Sequence, residues 1–437
     1  MQTTAPTRSL GLGRGAVPPS GQPPQQPLSP REVRATAQEL VAYHEAFKDL
    51  FARSEQRQWS LFYLRGQLSD LERKTVEPMV HALRGVDPAA VRAVQTFLSE
   101  GAWDDAVLLL RHQELVAQSL GEPGGLVIVD GSGFPKQGKC SVGVAHQYCG
   151  RLGKVANCQH GVFAAYHSSK GSTFVDCRLY MPKQWFSEEF AALRARCGVP
   201  KDLRFTTEPT LALGMVRTLC KRQTLPFQWV LGDETYGDNP GFLDGVAALG
   251  KFYFVEVAKT TQVYLGSVCV LPADLGPLGP VRRYPRVAPG TPPPVPVSQV
   301  ASLLPEEAWE LQELQEGSKG PILARIACVP VTRCRSKSLK RPGAPAWLVL
   351  RQGLSPETEL KMFLSNAPSD TSQKVLGRLT ALRWPVETVL LEAKSELGMD
   401  HYEVRSWLGW HHQMTLSFLS HHFLIRLQLS QKKKVRR

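Results

Sequence analysis

Two short apolar runs, Leu126-Val-Ile-Val129 and Phe227-Gln-Trp-Val-Leu231, each lead almost directly into an aspartate: Asp130 and, through Gly232, Asp233. Runs this short and this rich in β-branched and aromatic residues read as strands, the first buried on both faces. A strand end presents a side chain from a rigid base, which suits metal ligation. Hard divalent cations such as Mg²⁺ take carboxylate oxygens and need only one or two from the protein. A pair of such ions can activate a water or a 3′-hydroxyl and stabilise the leaving oxygen of a phosphoryl transfer, but the cradle then needs a third carboxylate. The competing reading is structural, because Asp after a strand also forms turns and caps helices. Gly131-Ser-Gly133 reads as a turn that Asp130 would open.

Around these runs the 437 residues divide by composition and period. Residues 1–29 are rich in Pro, Gly, Gln and Ser and read as disordered. Residues 30–120 carry apolar positions at helical spacing, including Val33, Leu40, Phe47 and Phe51, and read as an α-helical, DNA-binding domain. Residues 121–258 hold the first part of the core. Strands are expected at Leu126–Val129, Ser141–Tyr148, Asn157–Tyr166, Ser172–Tyr180, Phe227–Leu231 and Phe252–Val257, and helices at Thr210–Arg222 and Pro240–Leu249. Residues 259–345 lose that period, turn Pro-rich and read as an inserted subdomain, β-rich around Ile322–Val331. Residues 346–430 return to the core, with strands near Ala346–Leu350 and Leu360–Ser365 and helices at Ser372–Leu382, Pro385–Leu397 and Trp410–Leu429. Residues 431–437 form a basic tail.

Composition narrows the partners. Lys and Arg outnumber Asp and Glu by 52 to 39, a net charge of +13, which favours an acidic partner such as nucleic acid. No run approaches the roughly 20 apolar residues that span a bilayer, and no secretory leader opens the chain. The nine cysteines form no C-x-x-C pair. A cytoplasmic protein in a reducing compartment is the expectation.

The third carboxylate comes from the C-terminal helix. Pro385 suits a first turn and Gly398 the residue after a helix end. Glu387 and Lys394 lie two turns apart on one face, with Arg383 just before the start. Cations flanking a metal-binding carboxylate suit a phosphodiester. An ordinary solvated Glu/Lys helix gives the same spacing. Glu392 and Glu396 compete for the third role, while Glu234 points away from Asp233 by strand alternation.

The segment R383-W-P-V-E387-T-V-L-L-E-A-K394 resembles the Y-R-E-K signature of bacterial insertion-sequence transposases of the DDE superfamily. VDGSGFPKQG, WVLGDETYG and LEAKSELGMDHYEVRSWLGWHH are similar to the surroundings of that family's three acids, and the likeness runs over roughly residues 35–425. The signature's Tyr falls on Thr380.

The resemblance implies an α/β protein: an RNase H-like mixed-sheet catalytic core with an inserted subdomain and an N-terminal helical domain. It implies that Asp130, Asp233 and Glu387 bind two Mg²⁺ ions, with Mn²⁺ as a substitute, and that the protein acts as a dimer on double-stranded DNA. The activity implied is cutting at the element's inverted repeats and joining 3′-hydroxyls to target DNA. A non-joining RNase H-like nuclease and a catalytically silent DNA-binding regulator remain as alternatives.

DNA contacts are expected from Arg383, Lys394, Lys136 and Arg405. The run Arg333, Arg335, Lys337, Lys340, Arg341, the residue Lys139 and the tail Lys432, Lys433, Lys434, Arg436, Arg437 are further basic candidates. Trp309 and Trp347 could stack on an unpaired base. His146, His160 and His167, and His411, His412, His421 and His422 in the last helix, read as packing or exposed residues rather than ligands.

Overall fold

The computed structural model describes residues 29–273, 284–317, 320–335, 341–355 and 358–435, with side chains of 316, 317 and 432–435 left out. The Pro/Gly-rich start to residue 28, Lys337, Lys340, the tail's lysine side chains, Arg436 and Arg437 lie outside these described residues.

Five helices open the chain: α1 (Pro30–Glu45), α2 (Ser54–Gln67), α3 (Val76–Arg84), α4 (Pro88–Ser99) and α5 (Asp105–Leu120). The starts of α1, α4 and α5 follow from capping. Ser29 and Glu32 form a reciprocal capping box, while Asp87 and Asp104 accept backbone N–H groups at α4 and α5. The core follows with β1 (Leu126–Pro135), β2 (Ala145–Cys149), β3 (Lys154–Ser168), β4 (Gly171–Tyr180), α6 (Ala191–Arg196), α7 (Glu208–Arg222), β5 (Trp229–Gly232), α8 (Glu234–Gly237), α9 (Pro240–Ala248) and β6 (Phe252–Glu256). β1 pairs antiparallel with β3, which pairs with β4; on its other side β1 runs parallel to β5, and β5 parallel to β6. This mixed sheet between helical layers is the RNase H-like core.

The sheet is buried on both faces, and alternation decides which residue meets which layer. Leu126 and Ile128 of β1 and Trp229 and Leu231 of β5 join one apolar cluster; Val127, Val129 and Val230 join the other.

The segment read as an inserted subdomain does not stand apart. It carries β7 (Gln262–Leu265), β8 (Val270–Leu271), β9 (Arg286–Val287), β10 (Val295–Pro296), α10 (Val297–Leu303), β11 (Glu310–Gly317) and β12 (Gly320–Cys334). β12 pairs with β13 (Pro342–Gly353), β13 with β14 (Lys361–Ser365), and β14 with β6. The segment therefore extends the core sheet, and the expected boundary at 345/346 falls inside β13. Backbone hydrogen bonding, which the Pro-rich composition hides, carries the sheet across it.

Two further expectations are corrected. Gly131-Ser-Gly133 is not a turn: β1 stays paired with β3 out to Pro135. A Cβ on Gly131 would stand 2.5 Å from His160 Nε2, and one on Gly133 would stand 2.8 Å from Cys149 Sγ. These glycines serve close approach within a strand. The strand expected from Ser141 starts only at Ala145.

The chain ends in α11 (Gln373–Leu379), α12 (Trp384–Ser395) and α13 (Trp407–Val435). Helix α13 contributes Trp410, Met414 and Phe418 to the sheet cluster and Leu416, Leu419 and Phe423 to the cluster of α1–α5. A helix buried all round needs partners for its polar groups. Tyr63 Oη donates to Gln413 Oε1 (2.5 Å), Gln67 Nε2 to Ser417 Oγ (2.8 Å), and His422 lies between Ser119 Oγ (2.8 Å) and Tyr43 Oη (3.2 Å).

Burial lowers the imidazoles of His44 and His112 to about 4 and that of His422 well below its ordinary value. The unfolded chain takes up these protons near pH 6.5; in the fold His44 and His112 take them up only near 4. The contribution of His44 and His112 is therefore complete above pH 6.5 and is lost as pH falls toward 4, at roughly 1–3 kcal/mol each. Thermal melting should drop steeply between pH 7 and 4.5, and His112→Gln should flatten that slope. A slope unchanged by the substitution would contradict the assignment.

Candidate functional site

Asp130 continues the row Leu126–Ile128 and so projects onto the face that α12 covers. Asp233 continues the row Trp229–Leu231 onto the same face. Helix α12 lies there through Val386, Val389, Leu390 and Ala393. Its first turn carries Glu387, and the three carboxylates line one cleft of about 1000 Å³. Asp233 also caps α8, accepting from Thr235 N (2.9 Å), so it serves as a helix cap while lining the cleft. Asp130 Oδ1 accepts from Gly131 N (2.8 Å).

Arg383 stands among the acids. Its Nη2 lies 2.5 Å from Glu387 Oε1, its Nη1 3.7 Å from Asp130 Oδ2, and its Nε 3.5 Å from Glu256 Oε2. Even so, burial and then the Asp233 carboxylate push the Asp130 carboxyl up to about 7, and burial raises Asp233. The Tyr236 hydroxyl, buried beside both aspartates, has no hydrogen-bond partner among the described residues. Among the described residues no three His, Cys, Asp or Glu side chains close around one point as they stand. The donor chemistry nonetheless fits a hard divalent cation: oxygen-only ligands, short of countercharge, facing one cleft.

Lys394 lies two turns along α12, where Nζ donates to Ser132 Oγ (2.7 Å) and Gly133 O (3.2 Å). Burial, then Arg151, lowers its ammonium to about 8. Lys136 sits outside the cleft lining, with Nζ donating to Tyr402 O (3.1 Å) and lying over the Tyr402 ring, which holds the ammonium there. Arg405 is exposed on a separate hollow of about 830 Å³ between the N-terminal helices and α6.

Arg333, expected at the surface, is 5% exposed and bound to Asp244 (2.6 Å), which Arg335 shares. Alternation on β12 turns it inward. Trp347 donates to Pro368 O and Trp309 lies under Arg325, both outside the carboxylate cleft. Of the competing acids, Glu392 faces His421 (3.3 Å) on α13 and Glu396 lines another hollow. Thr380 is buried, its hydroxyl donated to Gly377 O.

Sequence reasoning missed Glu256, Glu208 and Arg151. Glu208, in the first turn of α7, accepts from His160 Nε2 (3.1 Å) within the cleft. Glu256 ends β6 next to β5, a position that strand order alone makes visible. Arg151 belongs to the turn after β2, which carries no motif.

The geometry defines a carboxylate-lined cleft at the end of the parallel strands of an RNase H-like sheet. The chain belongs to the DDE superfamily endonucleases, matching that family over residues 46–321, well over half its length. That segment includes Asp130 and Asp233 and ends before α12. Enzymes of this family generally use divalent metal ions. Over 242 residues the chain is 28% identical to the probable transposase for insertion sequence element IS701 of Microchaete diplosiphon, covering 54% of this chain and 58% of that protein. The chain thus spans under two thirds of that relative. Among the described residues no helix is long and apolar enough to cross a membrane.

A carboxyl whose folded value is about 7 and whose unfolded value is near 3.9 costs no stability at pH 4 and its full penalty above pH 7. Asp130→Asn should therefore stabilise the fold at pH 8 by roughly 1–3 kcal/mol and leave it unchanged at pH 4. Destabilisation at pH 8 would instead make the bond that Asp130 accepts from Gly131 N its dominant role.

Proposed function

We propose that this chain is a transposase that cuts DNA at the terminal inverted repeats of its element and joins the freed 3′-hydroxyls to target DNA. The observation that carries this reading is the convergence of Asp130, Asp233 and Glu387 on one sheet face around Arg383. These three carboxylates would hold two divalent ions, Mg²⁺ with Mn²⁺ as a substitute. When bound, the ions supply an activated nucleophile and charge neutralisation at the leaving oxygen.

The remaining chemistry belongs to the chain itself. Arg383 has a planar fork of donors already directed at carboxylates, and a backbone phosphate offers it the same bidentate geometry. Lys394, fixed by Ser132 and Gly133, adds a second cation on the far side of Glu387. Both would orient the scissile phosphate. Lys136 and Arg405 are assigned to flanking backbone, which supplies affinity without sequence choice. Helices α1–α5 are assigned the reading of the repeats. Two DNA ends call for two subunits, so a homodimer on DNA is part of the proposal, as is a bacterial cytoplasmic setting with nucleoid association on binding.

The test is cleavage and strand transfer on DNA carrying the flanks of this protein's own gene, with Mg²⁺, Mn²⁺ or chelator. Metal-dependent nicks at repeat ends and joined products are expected, falling by about 10³-fold or more in Asp233→Asn and Glu387→Gln. Nicks without joining would replace the transposase with a nuclease. Binding to the flanks without cleavage would leave a DNA-binding regulator.

A further inference from the structure

The hairpin formed by β2 and β3 ends at the rim of the carboxylate cleft, and its end is unusually apolar for a surface. Tyr148 is 64% exposed, Val155 53% and Leu152 44%. Tyr148 and Val155 are direct cross-strand partners, so their side chains share one face of the hairpin. Gln147, Tyr148, Gly150 and Arg151 line the same cleft as Asp130, Asp233 and Glu387. Exposed apolar groups clustered beside a site mark an interaction surface.

The turn is held in place. Arg151 forms an ion pair with Asp400, a residue only 5% exposed in the segment between α12 and α13. The guanidinium is itself half exposed and keeps donors for a second acceptor. Its charge reaches Lys394, whose ammonium it helps to lower. The rim therefore offers an aromatic face, an anchored guanidinium and a nearby ammonium in sequence along the cleft.

We propose that Tyr148 and Arg151 form a subsite for an unpaired nucleobase and its phosphate next to the cutting site. Aromatic rings beside cations are how proteins hold single-stranded nucleic acid without sequence choice. A base inside a duplex has both faces stacked, so a protruding Tyr148 selects one whose face is free. The patch is continuous with the cleft and flanked by cations, in a chain of net charge +13, which fits a nucleic acid strand. This assignment rests on reading the cleft as a DNA-cutting site.

The test uses the full chain and two probes: a duplex with a short single-stranded overhang carrying 2-aminopurine, and the same duplex blunt-ended. Wild type should bind the overhang about tenfold more tightly than the blunt duplex and quench the 2-aminopurine. Tyr148→Ala, an exposed change, should lose both the preference and the quenching while binding the blunt duplex as wild type does. Tyr148→Trp should retain them, and Arg151→Gln should weaken overhang binding alone. Equal binding of the two probes by wild type, or quenching that survives Tyr148→Ala, overturns the subsite and leaves the proposed function standing. If Tyr148→Ala instead abolishes self-association with no effect on either probe, the patch is a contact between copies, and the subsite is overturned. Failure of wild type to bind either probe overturns the proposed function as well.

Discussion

Everything at the site depends on a side-chain row changing character partway along a buried strand. Leu126 and Ile128 pack beneath α12; the next residue in that row is Asp130 and the next Ser132, which receives Lys394. On β5 the same face runs Trp229, Leu231, Asp233. The apolar part of each row fixes strand position and α12 against the sheet, and the polar part inherits that rigidity. A one-residue slip in either strand would send its carboxylate to the opposite face. The two-faced burial that stabilises the sheet is thus also what aims the carboxylates.

Electrostatics oppose this arrangement. Two half-buried aspartates and Glu387 share a cleft, and the Asp130 carboxyl is pushed up to about 7, so the charged site weakens the fold it stands on. Arg383 relieves part of that strain by reaching Asp130, Glu256 and Glu387 together. Because its fork binds carboxylate and phosphate alike, the proposed function would have it pass from the acids to a DNA strand.

Much of this was legible in the sequence, for identifiable reasons. LVIV-Asp130 and WVLG-Asp233 mark both acids as strand-end residues, and the Glu387/Lys394 spacing gives a shared helix face; that both acids share one sheet face follows only from the parallel register of β1 and β5. What failed was local. Gly131-Ser-Gly133 looks like a turn because sequence does not reveal that His160 and Cys149 crowd those positions from neighbouring strands. Residues 259–345 look like a separate body because the pairings that build them into the core sheet, β12 with β7 and β14 with β6, join residues far apart in sequence. Arg333 looked like a surface cation until β12 turned it toward Asp244. Glu208 and Arg151 reach the cleft, and Glu256 reaches Arg383, through tertiary packing, and no motif marks them.

The central claim is that Asp130, Asp233 and Glu387 form one divalent-cation cradle. Anomalous scattering from crystals of the full chain soaked in Mn²⁺ tests it directly. The account predicts density between the Asp130 and Asp233 carboxylates, within reach of Glu387, with Arg383 displaced from Asp130. Mn²⁺ bound elsewhere, for example beside Glu256 and Glu359, with Arg383 still bridging Asp130 and Glu387, would contradict it.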